Sequence, residues 1–225
     1  MLRFDKTRPC ATTLKVLARL LDYPDAELRA HLPVMRATLA AEGALPAARL
    51  QELDLLMNGI ARRDDLDAEA DYVQLFDSGR SASLYLFEHV HGDSRDRGPA
   101  MIDLAKTYEE AGLYLAQGVM PDHLPVALEY ASTQPPREAR AFVAEMAHIL
   151  SAIFAGLERR GSRYASAVGA LLDLAGEKAR AVELPAEEPL DEAWEEPAAF
   201  DGCSVKGQAR PGQEQPVRFV RHATT

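Results

Sequence analysis

Residues 141–157 read AFVAEMAHILSAIFAGL, and their apolar side chains recur at intervals of three and four. At 100° per residue these side chains share one arc of a helix, whereas Glu145, His148 and Ser151 fall outside it. The spacing predicts an amphipathic α-helix with one buried face. The residues of that face are Phe142, Met146, Ile149, Leu150, Ile153, Phe154 and Leu157.

The same helical spacing recurs through most of the chain, and no run alternates apolar and polar residues as a half-buried strand does. The sequence therefore predicts an all-α fold, a compact multi-helix domain of eight to ten short helices. Three further predicted faces are Leu50, Leu53, Met57 and Ile60; then Ala68, Tyr72, Leu75 and Phe76; then Met101, Ala105, Tyr108 and Leu115.

Capping residues and prolines predict where several helices begin and end. Thr13 and Asp25 stand where N-caps are expected, because their side-chain oxygens can accept from free backbone amides. Pro24 and Pro33 are expected to break the early helices. Pro125 is expected in the first turn of a helix within residues 121–136, where its missing N–H costs little.

The composition changes after Leu184. Residues 181–205 contain eight acidic and no basic residues, and residues 206–225 contain four basic and one acidic residue. Such a segment buries too little apolar surface to order itself. The sequence predicts a helical domain over residues 1–184 and a disordered tail over residues 185–225, acidic and then basic. Trp194 and Phe200 are expected to dock the tail on its own domain or on a partner.

Charge and cysteine content exclude several classes of protein. The net charge of −10 disfavours nonspecific binding to nucleic acid or to anionic lipid. Cys10 and Cys203, far apart and without a C-x-x-C pair, build neither a disulfide framework nor a thiolate zinc site. The longest strongly apolar stretch, around residues 149–157, is too short to span a bilayer, and no signal peptide precedes it. We expect a cytoplasmic protein.

The central stretch SLYLFEHVHGDSRDRG, residues 83–98, is rich in side chains that carry chemistry. On a helix, His89 and His91 point about 200° apart and cannot share an ion. Ser94 lacks the G-x-S-x-G turn of a nucleophile, and the chain contains no phosphate-binding glycine motif. We expect no catalytic residues, no metal site and no cofactor.

Composition leaves two interpretations of this stretch open. Tyr85, Phe87, His89 and His91, together with the following arginines, are residue types that anchor protein interfaces. Alternatively, the apolar residues belong to the core and the charges cap the next helix. Asp122 and His123 admit the same pair of interpretations, with Asp122 as an N-cap or with both residues at a binding edge.

Several motifs together resemble the respiratory nitrate reductase assembly chaperones, the NarJ or delta-subunit family, which belongs to the redox-enzyme maturation chaperones. The similar stretches are KVLARLLDYPDAEL, DYVQLFD, SLYLFEHVHGDSRDRGPAMIDL, MPDHLPVALEY and LDEAWEEPAAF. They cover most of the chain from about residue 12 to residue 200, and the central motif is the most specific.

The resemblance implies an all-helical chaperone without enzymatic activity. Its client would be the catalytic, molybdenum-containing subunit of nitrate reductase. The chaperone would hold the client's N-terminal segment, assist insertion of the molybdenum cofactor and iron–sulfur clusters, and delay docking to the membrane subunit. The residues that match the family motifs, and that would contact the client or shape its groove, are Tyr72, Phe76, Tyr85, Phe87, His89, His91, Arg95, Arg97, Asp122 and His123.

Two alternatives to this function remain. The first is a sibling chaperone for another molybdoenzyme, of the dimethyl sulfoxide or trimethylamine oxide reductase type. The second is a permanent structural subunit of the membrane complex, which would co-purify with the mature enzyme. A nucleotide-binding or other small-molecule enzyme has no supporting motif.

Overall fold

The computed structural model describes residues 7–92 and 94–179. The regular structure of these residues is helical. Those residues contain ten α-helices, a single 3-10 turn and no named strand, which confirms the all-α prediction. The predicted boundary at 184/185 and the tail, with Trp194 and Phe200, lie outside the described residues. The helices are α1 (Ala11–Leu20), α2 (Ala26–Glu42), α3 (Ala47–Arg62), α4 (Asp65–Phe76), α5 (Leu86–Val90), α6 (Arg97–Glu110), α7 (Leu124–Thr133), α8 (Pro136–Glu145), α9 (Ala147–Arg159) and α10 (Ala165–Ala175), with the 3-10 turn at Arg80–Ala82.

The core forms around α1 and α10. Helix α10 is apolar on nearly every side and packs against α3, α8 and α9, whereas α1 packs against α2, α7 and α10. A helix that is apolar all round is stable only when neighbours cover it. The predicted faces of α3 and α4 are confirmed, because Leu53, Met57 and Ile60 of α3 and Tyr72 and Phe76 of α4 are buried.

The pattern that predicts one long helix over residues 141–157 belongs to two helices. The chain bends by 64° between α8 and α9. At the junction, the amide of Met146 donates to the carbonyl of Val143, three residues back, before normal α-helical bonding resumes at Leu150. The bend lets both helices bury their apolar residues against α10, an outcome that helical spacing alone does not reveal.

No single helix among the described residues is both long and apolar enough to cross a membrane. Helices α8 and α9 reach that length and composition only when the bent pair is counted as one. Most of the apolar side chains of α9 are buried within the fold.

One predicted N-cap is confirmed and the other is wrong. The carboxylate of Asp25 accepts from the amide of Leu28 at 2.8 Å, as a capping side chain does. Thr13 lies inside α1, which begins two residues earlier. The carboxylate of Glu42, at the end of α2, accepts from the amides of Thr12 and Thr13 at 3.1 and 2.6 Å. Because a residue distant in sequence satisfies these amides, α1 needs no local capping side chain.

The prolines behave differently from one another. Pro24 separates α1 from α2, as predicted, and Pro125 lies in the first turn of α7, as predicted. Pro33 lies inside α2, so the prediction that it breaks a helix is wrong. Helix α2 continues through it because Leu28, Leu32, Met35 and Leu39 anchor the helix to the core on both sides of the proline.

Helix α6 ends earlier than its apolar pattern predicts. It stops at Glu110, so Leu115 lies beyond it, and of the predicted face only Tyr108 is buried. Gly112, with φ of +80°, turns the chain so that the amide of Leu113 donates to the carbonyl of Tyr108. The buried side chain of Tyr108 attaches the C-terminal end of α6 to the rest of the fold, against Tyr130 and the carbonyl of Pro121.

Candidate functional site

The two motifs singled out in the sequence meet at an antiparallel bridge between Tyr85 and His123. The amide of Leu86 donates to the carbonyl of Asp122 at 2.9 Å, and the amide of Leu124 donates to the carbonyl of Leu84 at 2.8 Å. The bridge places residues 83–98 beside the loop that leads into α7. Segments more than thirty residues apart in sequence thus form one local structure.

Asp122 holds this structure together from inside. Its side chain is fully buried, and Oδ2 accepts from the amide of Phe87 at 3.2 Å and lies 3.7 Å from Nη2 of Arg97. Oδ1 has no hydrogen-bond partner among the described residues. Burial raises the pKa of the Asp122 carboxyl, against the opposing effects of Phe87 and Arg97. The N-cap position of α7 is occupied by His123, so the alternative of Asp122 as an N-cap is wrong.

His123 lies against Tyr85 at the partly exposed side of the bridge. The ring centroids are 5.1 Å apart, with the planes tilted by 34°. Burial lowers the pKa of His123, although the carboxylates of Asp22, Asp122 and Asp77 act in the opposite direction. The imidazole is therefore mainly neutral at neutral pH, and it offers a flat, weakly polar surface.

His89 and His91 do not converge. Nε2 of His89 lies 2.9 Å from the carbonyl oxygen of Ser83, which fixes the ring within its own segment. His91 follows α5 and contacts Phe87 edge to face, with centroids 5.3 Å apart. The described residues contain no group of three or more histidine, cysteine, aspartate or glutamate side chains able to hold a metal ion.

The two arginines of the stretch differ in environment. Arg97 is partly buried, and its Nη2 lies between the carboxylates of Glu88 and Asp122, at 3.8 and 3.7 Å. Arg95 is exposed in the turn before α6. Arg97 therefore stabilises the bridge, and Arg95 is accessible to a partner.

Five of the predicted site residues near the bridge are at least partly exposed and, unlike His89 and Arg97, have no side-chain hydrogen bond or ion pair among the described residues. We call them the bridge group: Tyr85, Phe87, His91, Arg95 and His123. Aromatic rings, imidazoles and an arginine are side chains that bind protein segments well, because they combine apolar area with polar edges.

Tyr72 and Phe76 lie in a different cluster. Both are buried on α4, their ring centroids are 4.7 Å apart, and each packs against Tyr164. The hydroxyl of Tyr72 donates to the carbonyl of Leu21 at 2.8 Å. Because both side chains are buried, they support a binding surface without contacting a partner directly. Sequence reasoning missed Tyr164, because it precedes α10 and belongs to no periodic face.

Tyr164 lines a cleft of about 730 Å³ between α3, α4 and the turn that joins α9 to α10. Tyr72 and Phe76 pack behind it and fix the position of its ring. The bridge group and this cleft are therefore two candidate binding surfaces of the described residues.

A family model of the nitrate reductase delta subunit matches residues 24–168, which include α2 to α9, the bridge and most of the cleft. The chain belongs to the nitrate reductase delta-subunit family. The resemblance found in the sequence motifs is confirmed.

Two curated delta-subunit relatives illustrate the similarity. The Escherichia coli (strain K12) protein named nitrate reductase molybdenum cofactor assembly chaperone NarJ is 43% identical over 198 residues, covering 88% of this chain and 84% of its own. The Bacillus subtilis (strain 168) protein named probable nitrate reductase molybdenum cofactor assembly chaperone NarJ is 30% identical, covering 71% and 86%.

A solved structure shares the fold. The crystal structure of a putative redox enzyme maturation protein from Archaeoglobus fulgidus superposes with a TM-score of 0.53 and 22% sequence identity. The match covers 79% of this chain and 99% of that one. At this identity the likeness concerns the fold alone, and it agrees with the predicted architecture of a maturation chaperone.

Proposed function

We propose that this chain is a system-specific assembly chaperone, without enzymatic activity, for the catalytic, molybdenum-containing subunit of nitrate reductase. The observation that carries the proposal is the similarity to a protein named nitrate reductase molybdenum cofactor assembly chaperone. The two sequences are 43% identical, and the match covers 84% of that protein's length. Three relatives whose alignments cover most of this chain are named as chaperones rather than as catalysts.

The chaperone holds the N-terminal segment of the catalytic subunit in the cytoplasm. Binding at that stage keeps the subunit open for molybdenum cofactor and iron–sulfur cluster insertion, and it delays docking to the membrane subunit. A protein with this task needs accessible apolar and polar side chains on a rigid support. The helical scaffold provides such a support.

Within the predicted site residues, we assign contact to the bridge group and support to the others. Asp122, Arg97 and His89 fix the backbone and the neighbouring side chains, since their polar groups bond inside the fold. Tyr72 and Phe76 are buried and support Tyr164, which lines the cleft, from beneath. The bridge group combines partial exposure with the residue types of interface anchors, and its side chains are not held by hydrogen bonds or ion pairs among the described residues.

The N-terminal claim is tested with two forms of the apo catalytic subunit, one full-length and one lacking its N-terminal segment. Titration calorimetry with the full-length chaperone should give binding to the first form and at least tenfold weaker binding to the second. A synthetic peptide of the missing segment should compete. Equal affinity for both forms would move the contact elsewhere on the client.

A further inference from the structure

The cleft beside Tyr164 is lined by residues that do not belong to the bridge group. Leu56, Ile60, Ala68 and Leu75 supply apolar side chains from α3 and α4, and Tyr164 supplies an aromatic one. Its volume of about 730 Å³ falls within the range of roughly 300–1,000 Å³ that is typical of ligand sites. The cleft is large enough for one bulky apolar side chain and the backbone that carries it.

The charge of the cleft is opposite to that of the whole protein. Its charged lining residues are Arg63, Arg160, Arg163 and Asp71, giving three positive and one negative charge in a chain with a net charge of −10. A concave site with a locally positive potential attracts anions and repels cations.

The three arginines are engaged to different extents. Nη2 of Arg63 lies 2.7 Å from the carboxylate of Asp71, and Nη1 of Arg160 donates to the carbonyl of Leu75 at 2.7 Å. Arg163 is exposed and has no ion-pair partner within residues 7–92 and 94–179. Its guanidinium is therefore available to an incoming carboxylate.

Gly59 makes room for this guanidinium. A Cβ atom at Gly59 would lie 3.1 Å from Nη1 of Arg163, so the arginine crosses closely over α3. A glycine inside a helix is destabilising relative to alanine. The close approach of Arg163 explains why a residue without a side chain occupies this position.

We propose that the cleft binds an acidic peptide segment of a partner protein, with one large apolar side chain against Tyr164 and carboxylates on Arg163 and Arg63. Arginine is the residue best suited to carboxylates, because its planar fork donates two parallel hydrogen bonds. An apolar anchor surrounded by charge-assisted hydrogen bonds is a common arrangement at protein interfaces.

The cleft and the bridge group are therefore expected to select different segments. The Tyr85–His123 pair lies near the four acids Asp22, Asp77, Asp122 and Glu88 and near one base, Arg97, so acidic groups outnumber basic ones around it. An acidic segment is repelled there and attracted to the cleft. This second site does not depend on the identity of the client.

The test measures fluorescence anisotropy of a fluorescein-labelled peptide of sequence EEAWEE with the full-length chain. We expect saturable binding that weakens at high salt, because screening reduces the attraction of exposed charges. Arg163→Gln should weaken binding at least tenfold. The matched control is Arg137→Gln, an exposed arginine of α8 outside the cleft, which should leave the affinity unchanged.

Peptides QQAWQQ and KKAWKK serve as ligand controls and should bind at least tenfold more weakly. Undetectable binding of EEAWEE, equal affinity of the wild type and Arg163→Gln, or equal affinity for KKAWKK would each overturn the proposal. Circular dichroism of each variant confirms that the helices are intact. Capture of the catalytic subunit by Arg163→Gln should stay at the wild-type level, so failure of the cleft proposal is distinguishable from failure of the chaperone proposal.

Discussion

The buried carboxylate of Asp122 accepts a hydrogen bond from the backbone amide of Phe87, 3.2 Å away and 35 residues earlier in the chain. Together with the backbone bonds on either side, it fastens the turn of residues 83–98 to the start of α7. A carboxylate in this position determines where the partly exposed rings of Tyr85, Phe87 and His123 lie. The site therefore rests on one buried acid.

Replacing Asp122 should destabilise the fold by an amount that depends on whether the new side chain can accept a hydrogen bond from the amide of Phe87. Asp122→Ala leaves the amide of Phe87 without its partner, which costs about 1–3 kcal/mol when the group is buried. Asp122→Asn keeps an acceptor oxygen, so the expected loss is smaller. Urea unfolding followed by far-ultraviolet circular dichroism measures both. Equal losses would show that the hydrogen bond to Phe87 contributes little.

Glu42 is expected to stabilise the start of α1 in a pH-dependent way. Burial opposes ionisation, but hydrogen bonding from Thr13 and Thr12 outweighs it and lowers the pKa of the Glu42 carboxyl below its ordinary 4.5. A lowered folded-state pKa gives stability that is present above the unfolded-state pKa and is lost as the pH falls through the folded-state value. Glu42→Gln should therefore cost about 1 kcal/mol at pH 7.

The same variant should approach the wild type in stability as the pH falls through the lowered folded-state pKa of the Glu42 carboxyl, where the carboxylate becomes protonated. Urea unfolding at a series of pH values tests this convergence. A difference that stays constant from pH 7 to pH 3 would assign the effect to the shape of the side chain rather than to its charge.

Close packing at Gly156 holds the 3-10 turn that leads into the bridge. A Cβ atom at this position of α9 would lie 2.3 Å from the carbonyl oxygen of Ser81, so Gly156→Ala forces the turn away from the helix. The expected loss is about 1–3 kcal/mol, as for other overpacked positions. Gly98→Ala in α6 is the matched control, since its Cβ meets nothing within 4 Å. Thermal unfolding should separate the two variants clearly; similar midpoints would contradict the packing.

The bridge group is tested by the double substitution His91→Ala and Arg95→Ala. His91 loses only its edge contact with Phe87 and Arg95 is exposed, so the helical circular dichroism spectrum should not change. We expect affinity for the catalytic subunit to fall about tenfold or more, which corresponds to about 1.4 kcal/mol. The double substitution Arg137→Ala and His148→Ala, at exposed positions on α8 and α9, is the control. An unchanged affinity for the client would remove the bridge group from the interface.

Helical periodicity predicts the architecture well, because burial of one face is a local property of spacing. It identifies the faces of α3 and α4. It does not reveal the bend at Met146, because both halves of the 141–157 pattern remain apolar toward α10. The capping rules assign Thr13 as an N-cap, because the actual acceptor of the α1 amides, Glu42, is brought there only by tertiary packing.

The candidate site, like the fold, could be predicted only in part from the sequence. The motifs identify the residues around Tyr85 and His123, but the bridge that joins them is a long-range pairing of two residues and leaves no strand pattern. Sequence alone does not separate Arg97, held between two carboxylates, from the exposed Arg95. Tyr164 and Arg163 lie in a turn without periodicity, so the cleft emerges only from the packing of α3, α4 and α9.

The most direct measurement is affinity capture with the tagged full-length chain from cells grown anaerobically on nitrate, read by mass spectrometry and metal analysis. A chaperone should recover the catalytic subunit of nitrate reductase, poor in molybdenum and without its membrane partner. Recovery of the complete, molybdenum-loaded complex at equal stoichiometry would contradict the account and make the chain a structural subunit. Recovery of a different molybdoenzyme in place of nitrate reductase would contradict the assigned client.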